Sequence, residues 1–227
     1  MHTCRIGILS AILLAAACTS TPRHLPAPSA SNVEKWKPAI EQFVKADLIN
    51  PPPKDGILFI GSSSIRRWKS LTNDFPVHPV YNRGFGGSQI ADSLHFADRI
   101  VLPYEPRQIV MFAGSNDINA GKTPEQVLAD FIAFAKLVHK HLPKTRISWI
   151  AITPCEKRWG QFEQVKQANE LVARYCRHHR RLDYINTFPH MLGEDGRPRA
   201  DIFVSDQLHL NDEGYAIWTE IIRPFLR

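Results

Sequence analysis

Ile57-Leu58-Phe59-Ile60-Gly61-Ser62-Ser63-Ser64-Ile65 is an apolar run that stops at a glycine and passes into three serines. An uninterrupted apolar run of this length, with no polar alternation, describes a strand buried on both faces. Gly61 permits a sharp turn, and Ile65 to Leu71 reads as helical. A strand that turns straight into a helix lifts a serine above the sheet edge, with its N–H at a helix N-terminus. Working outward, the same alternation recurs. Upstream, Val33 to Leu48 is helical by period, with Trp36, Ile40, Phe43, Val44 and Leu48 on one side, and Pro51-Pro52-Pro53 ends it. Downstream, Val77 to Tyr81 reads as a second strand, Gln89 to Leu102 as a helix closed by Pro103 and Pro106, and Gln108 to Ala113 as a third strand. Thr123 caps a helix running to His141, with Pro124 at its first position and Gln126 completing a capping box. Arg146 to Thr153 is a fourth strand, Gln161 to His179 a long helix and Leu182 to Ile185 a fifth strand. Asn211 caps a last helix from Asp212 to Ile222. Apolar strands separated by helices imply a parallel sheet covered on both faces. The expected fold is a three-layer α/β/α sandwich around a central five-stranded parallel sheet, flavodoxin-like in type.

The chain has 227 residues, 44% of them hydrophobic and 22% charged, with a net charge of +6. That suits one soluble globular domain. The densest cationic run, Arg174 to Arg181, falls at a helix end, where cations complement the helix dipole. It does not describe a nucleic-acid module. No His-Glu-x-x-His zinc motif is present. Asn116 to Thr123 imitates a phosphate-binding loop, but Asn116 stands where the first glycine is needed. A Gly-x-Ser-x-Gly elbow is also missing, because Ile65 occupies the second glycine position.

The first residues read as an address. Arg5 precedes the apolar run Ile6 to Ala17, too short to span a bilayer, so residues 1–17 have the pattern of a signal peptide. Leu14-Ala15-Ala16-Ala17-Cys18 resembles a bacterial lipobox. That resemblance implies a lipid anchor on Cys18 and an exported protein held to a membrane by its N-terminal lipid alone. Residues 18–32, rich in Ser, Thr, Pro and Ala, read as a tether, and residues 33–227 as the domain. Cys155 and Cys176 lie at opposite ends of a helix, about 20 Å apart at ~1.5 Å per residue. They are expected to be free thiols, since a disulfide needs Cα atoms within about 7 Å.

Chemistry in such sheets gathers outside the carboxyl ends of the strands. Three blocks stand there: Gly61 to Ser64, Asn82-Arg83-Gly84-Phe85-Gly86-Gly87-Ser88, and Ala113-Gly114-Ser115-Asn116-Asp117. A serine hydroxyl needs a base beside it. Glycine-rich backbone N–H groups and an asparagine amide can both donate to an oxyanion. The fourth block, Asp206-Gln207-Leu208-His209, places a carboxylate three residues before an imidazole, close enough to fix its tautomer.

In this order and placement, Ser63, Gly87, Asn116 and His209 resemble the SGNH, or GDSL-type, serine hydrolases, including those similar to platelet-activating-factor acetylhydrolase. The resemblance covers nearly all of Ile57 to Leu226. It implies Ser63 as nucleophile, His209 as base and Asp206 as its orienting partner. The Ser63 and Gly87 N–H groups and the Asn116 amide would form the oxyanion hole. Ser62 stands where the family usually carries Asp. The implied activity is hydrolysis of carboxylic esters through an acyl-enzyme with no metal or cofactor, on short acyl groups such as acetyl esters of glycans or small molecules. Lysophospholipids or thioesters are the alternative substrates, and a non-catalytic glycan-binding envelope lipoprotein is the alternative class. The block Thr153-Pro154 to Trp159, at a strand end, is expected to edge the substrate pocket together with Phe85, with Trp159 either stacking on a sugar ring or covering the core.

Overall fold

The computed structural model describes residues 25–227. The signal-like segment and Cys18 lie outside these residues. In chain order the elements are α1 (Val33–Ile49), β1 (Ile57–Gly61), α2 (Ser63–Arg67), α3 (Leu71–Asp74), β2 (Val80–Gly84), α4 (Ile90–His95), α5 (Ala97–Ile100), β3 (Gln108–Phe112), α6 (Ser115–Asn119), α7 (Pro124–His141), β4 (Arg146–Ile150), α8 (Phe162–Arg177), β5 (Leu182–Ile185) and α9 (Asp212–Ile222). Short 3₁₀ turns join several of them. The strands form one sheet in the order β2-β1-β3-β4-β5, and every neighbouring pair is parallel. The order reverses between β1 and β3, so a crevice opens at their carboxyl ends.

The side-chain period of 2 in the strands feeds two cores. Leu58, Ile60, Ile109, Met111 and Trp149 pack with α1, α4, α5, α7 and α8 on one face. Ile57, Phe59, Val110, Phe112 and Ile150 pack with α2, α3 and α9 on the other. The layers and the five-stranded parallel sheet are those expected from the sequence.

Several boundaries move. The second strand begins at Val80, not Val77, and Val77 is exposed. Pro76 and Pro79 have no N–H to give to a ladder; Pro79 joins only through its carbonyl, which accepts from the Ile57 N–H at 2.9 Å, and the paired register begins at Val80. The helix expected over Gln89 to Leu102 is two short helices meeting at Phe96, whose ring is buried. The stretch from Ile65 to Leu71 likewise divides at Trp68, buried and donating its indole N–H to Asp74 at 2.6 Å. Thr123 caps α7 by accepting from the Gln126 N–H at 3.2 Å, but the Gln126 side chain does not close the box. It reaches instead to the Ala27 carbonyl and to Asp130. The end of the expected tether therefore lies against the domain: Leu25 packs on the core, and the Ser29 N–H donates to Asp130 at 2.7 Å. Cys155 and Cys176 are free and buried, as expected.

Candidate active site

Ser63 is placed by a turn only glycine can make. Gly61 has φ +139, and a Cβ there would lie 1.9 Å from the Phe112 carbonyl oxygen of β3. The chain reverses, the Ser62 N–H donates to that same carbonyl at 3.1 Å, and α2 begins at Ser63. Two clamps hold α2. The Tyr215 hydroxyl of α9 donates to the Ser64 carbonyl at 2.7 Å, and the Asn82 amide of β2 donates to the Ile65 carbonyl at 2.5 Å. Ser62 and Ser64 are buried at 3% and 8% exposure, whereas Ser63 is half-buried at the crevice. Burial therefore separates three adjacent serines that are alike in sequence.

The fourth block closes on Ser63 from across the crevice. Gln207 adopts φ 53, a left-handed conformation that tightens the turn between Asp206 and His209. Asp206 Oδ1 accepts from the N–H groups of Leu208 and His209, both at 2.9 Å. Its Oδ2 lies 2.7 Å from His209 Nδ1, and His209 Nε2 lies 2.8 Å from Ser63 Oγ. An ionised carboxylate only accepts, so Nδ1 carries the ring hydrogen. Nε2 is then left to accept from the Ser63 hydroxyl. Burial opposes ionisation of Asp206, but the hydrogen bonds from His209 and Leu208 outweigh it and hold the carboxyl at about 2. Asp206 thus stays charged at any pH where the imidazole could work. This chain of hydrogen bonds can deprotonate a serine as it attacks a carbonyl.

Besides Ser63, the residues expected to form the oxyanion hole sit on the loops after β2 and β3. Asn116, in the first turn of α6, donates its amide to the Ser88 carbonyl at 3.0 Å. Asp117 anchors that turn: it accepts from the Gly114 and Ile90 N–H groups and pairs with Lys122 at 2.9 Å. Lys122 also pairs with Asp130 at 2.8 Å, and both carboxylates are fully buried. The lysine of the loop that imitates a phosphate site is thus committed to structural carboxylates. The glycine loop is tied to β1, with the Phe85 N–H and the Ser88 hydroxyl donating to the Gly61 carbonyl at 2.9 and 3.2 Å. Gly87 takes φ +81 beside the Trp36 ring. Its N–H makes no hydrogen bond among the described residues. It does not line the recess beneath Ser63.

That recess has a volume of about 20 Å³. Water needs about 10–15 Å³ on the same measure, so it admits only a very small group. Ser63, Asn116, His209, Leu208, Thr153 and Arg158 are among its walls.

Of the two expected pocket-edge aromatics, one is core and the other stands beside the recess. Phe85 is 1% exposed and packs edge-on against Trp36 at 5.6 Å, so it is core and not pocket. Its position after a glycine turn suggested a rim, but the chain there dives under α1. Trp159 is half-buried, its ring 4.5 Å from Phe162 and 4.3 Å from the Arg197 guanidinium, and it lines a small cavity that shares Ser115, Thr153, Cys155 and Arg158 with the recess. Thr153 opens the block to Trp159 that the sequence places at the pocket edge, and it does line the recess, its buried hydroxyl without a partner among the described residues. Within that block the sequence did not single out Arg158, which reaches Ser115 and Asn116 from a 3₁₀ turn.

With this geometry, comparison with known proteins is decisive. The sequence model of the GDSL-like Lipase/Acylhydrolase family matches residues 60–217. The chain belongs to that family. It is a carboxylic ester hydrolase with the family's α/β fold. The human platelet-activating factor acetylhydrolase IB subunit alpha1 is 28% identical over 190 residues, covering 80% of this chain and 78% of that protein. Among solved structures, a Streptococcus pneumonia protein provisionally named a platelet activating factor superposes with a TM-score of 0.76 at 21% identity, over 86% of this chain and 94% of the other. A mutant acetyl-xylooligosaccharide esterase from Geobacillus Stearmophilus gives 0.60 at 15% identity, over 76% and 94%.

Proposed function

We propose that this hydrolase removes short acyl groups, chiefly acetyl, from esters of glycans or small molecules. The observation that carries the reading is the run from Asp206 through His209 to Ser63, at 2.7 and 2.8 Å, beside a recess of about 20 Å³. Ser63 Oγ attacks the ester carbonyl while its proton passes to His209 Nε2. The tetrahedral oxyanion is held by the Ser63 and Gly87 N–H groups and the second N–H of Asn116. Collapse expels the alcohol, which takes the proton from His209. Water then repeats the sequence on the acyl-enzyme and releases the acid. Asp206 stays ionised and stabilises the imidazolium. Two of the proteins named above carry acetyl removal in their names, which supports the acyl assignment.

The narrowness of the recess argues against long acyl chains on the same triad. We further infer that the protein is exported and anchored by lipid on Cys18, as the N-terminal sequence suggests. The test is hydrolysis of p-nitrophenyl acetate, wild type against Ser63→Ala, followed by release of acetate from acetylated xylo-oligosaccharides. Wild-type turnover that disappears in the folded variant supports the reading. Equal activity of the two refutes Ser63, and faster turnover of decanoyl than acetyl esters refutes the acyl preference.

A further inference from the structure

Arg158 is the residue of the recess that the serine hydrolase chemistry leaves unused. It sits at a kink in the 3₁₀ turn Glu156–Gln161, with φ −123 and ψ 25. Its Nη1 donates to Ser115 Oγ at 2.6 Å and its Nη2 to Asn116 Oδ1 at 2.9 Å. Both partners are neutral. Among the described residues no carboxylate pairs with it, and the acid nearest in sequence, Glu156, is paired with Arg197. A guanidinium drawn partly out of water without a counter-charge is costly. Burial accordingly pulls its pKa below the ordinary arginine value. A surface arginine offered only neutral partners would ordinarily turn to solvent.

The geometry gives the cost a use. An asparagine amide can occupy its site in two orientations that differ only in which of O and N faces where. In one orientation the NH2 group reaches the Ser63 side. In the other, the carbonyl would meet the developing oxyanion and repel it. Arginine has donors and no acceptor, so the atom facing Arg158 must be the Asn116 oxygen. The Ser88 carbonyl only accepts, so the atom facing it must be the nitrogen, and the 3.0 Å contact there agrees. One N–H of the amide is used on Ser88, and the other is left for substrate. A cation on the carbonyl end also polarises the amide and strengthens that remaining donor. The uncompensated charge favours a negative transition state over a neutral ground state.

We propose that Arg158 is the positioning residue of the oxyanion hole: it locks the Asn116 amide in the donating orientation and lends its unpaired charge to the tetrahedral intermediate. This rests on the serine-hydrolase reading above. The full chain is assayed on p-nitrophenyl acetate as wild type, Ser63→Ala, Asn116→Ala, Arg158→Met, Arg158→Lys and the Asn116→Ala/Arg158→Met pair. Arg158→Met is expected to lower kcat on the order of 10²-fold, as for loss of one oxyanion donor, with KM little changed. Affinity for a trifluoromethyl ketone, which forms a tetrahedral oxyanion on serine, falls in parallel. Millimolar guanidinium restores part of the kcat of Arg158→Met and none of that of Ser63→Ala. Arg158→Lys keeps the charge but cannot bridge both partners, so it lies between. In the Asn116→Ala background the arginine change costs much less than it does alone, because the two act as one unit.

A folded Arg158→Met with wild-type kcat, a loss confined to KM, or full additivity with Asn116→Ala would overturn the proposal. If Arg158→Met does not fold, Arg158→Lys decides through the same cycle. Failure of the underlying reading is distinct: Ser63→Ala would then remain active whatever Arg158 does.

Discussion

Replacing Asp206 with asparagine separates orientation of the imidazole from mere packing around it. The side chain keeps its volume, and one oxygen still has to satisfy the Leu208 and His209 N–H groups, both at 2.9 Å. An amide has a single oxygen, and two backbone donors claim it. The NH2 group must therefore face His209 Nδ1, where the carboxylate oxygen now lies at 2.7 Å. The ring responds by placing its hydrogen on Nε2, which can then no longer accept from Ser63. Where the aspartate is buried, as in the chymotrypsin-type proteases, this exchange costs about 10⁴ in kcat. Here the Asp206 side chain is 40% exposed, so water competes for Nδ1 and weakens the grip of the wrong tautomer. The expected loss is roughly 10²–10³ in kcat, or about 2.7–4.1 kcal/mol of barrier. Steady-state hydrolysis of p-nitrophenyl acetate, with circular dichroism to establish folding, measures it. A folded variant losing less than about tenfold would refute the tautomer argument, and Asp206 would be a loop-forming residue only.

The same carboxylate links stability to pH. Its folded value of about 2 lies below the ordinary 3.8, so its contribution is full above that value and disappears as pH falls towards 2. The wild type should be more resistant to urea than Asp206→Asn at pH 6, with the gap closing near pH 2; a constant gap would contradict the assignment. Gly61→Ala should cost roughly 2–6 kcal/mol, the sum of a strained φ and an overpacked contact. Soluble protein of wild-type stability would mean that the β1 turn tolerates a Cβ. Lys122→Met leaves Asp117 and Asp130 buried without their cation. Breaking such a pair costs about 3–5 kcal/mol, and a change under about 1 kcal/mol in urea unfolding would show that the carboxylates protonate or hydrate cheaply. On p-nitrophenyl esters, kcat/KM should fall steadily from acetyl to butyryl to octanoyl, since the recess is about 20 Å³.

Strand and helix types were legible because each is written in local periodicity. The continuous apolar runs at Ile57, Gln108 and Arg146 became β1, β3 and β4, and Asn211 caps α9 by accepting from the Gly214 N–H at 3.0 Å. The convergence of Ser63, Asp206 and His209 could be anticipated too. Each follows or precedes an element whose end the sequence marks, and a parallel sheet brings those ends to one edge. Tertiary structure alone decided the rest. Residue type does not distinguish Ser62, Ser63 and Ser64, and alignment to Gly61 only nominates Ser63; the Tyr215 clamp and the Phe112 carbonyl fix their differing burial, from residues far along the chain. Phe85 looks the same in sequence whether it edges a pocket or fills a core, and only the packing of Trp36 settles which. Arg158 meets Asn116 across 42 positions of sequence. A donor and its acceptor are chosen by proximity in the folded chain, and no local pattern encodes that distance.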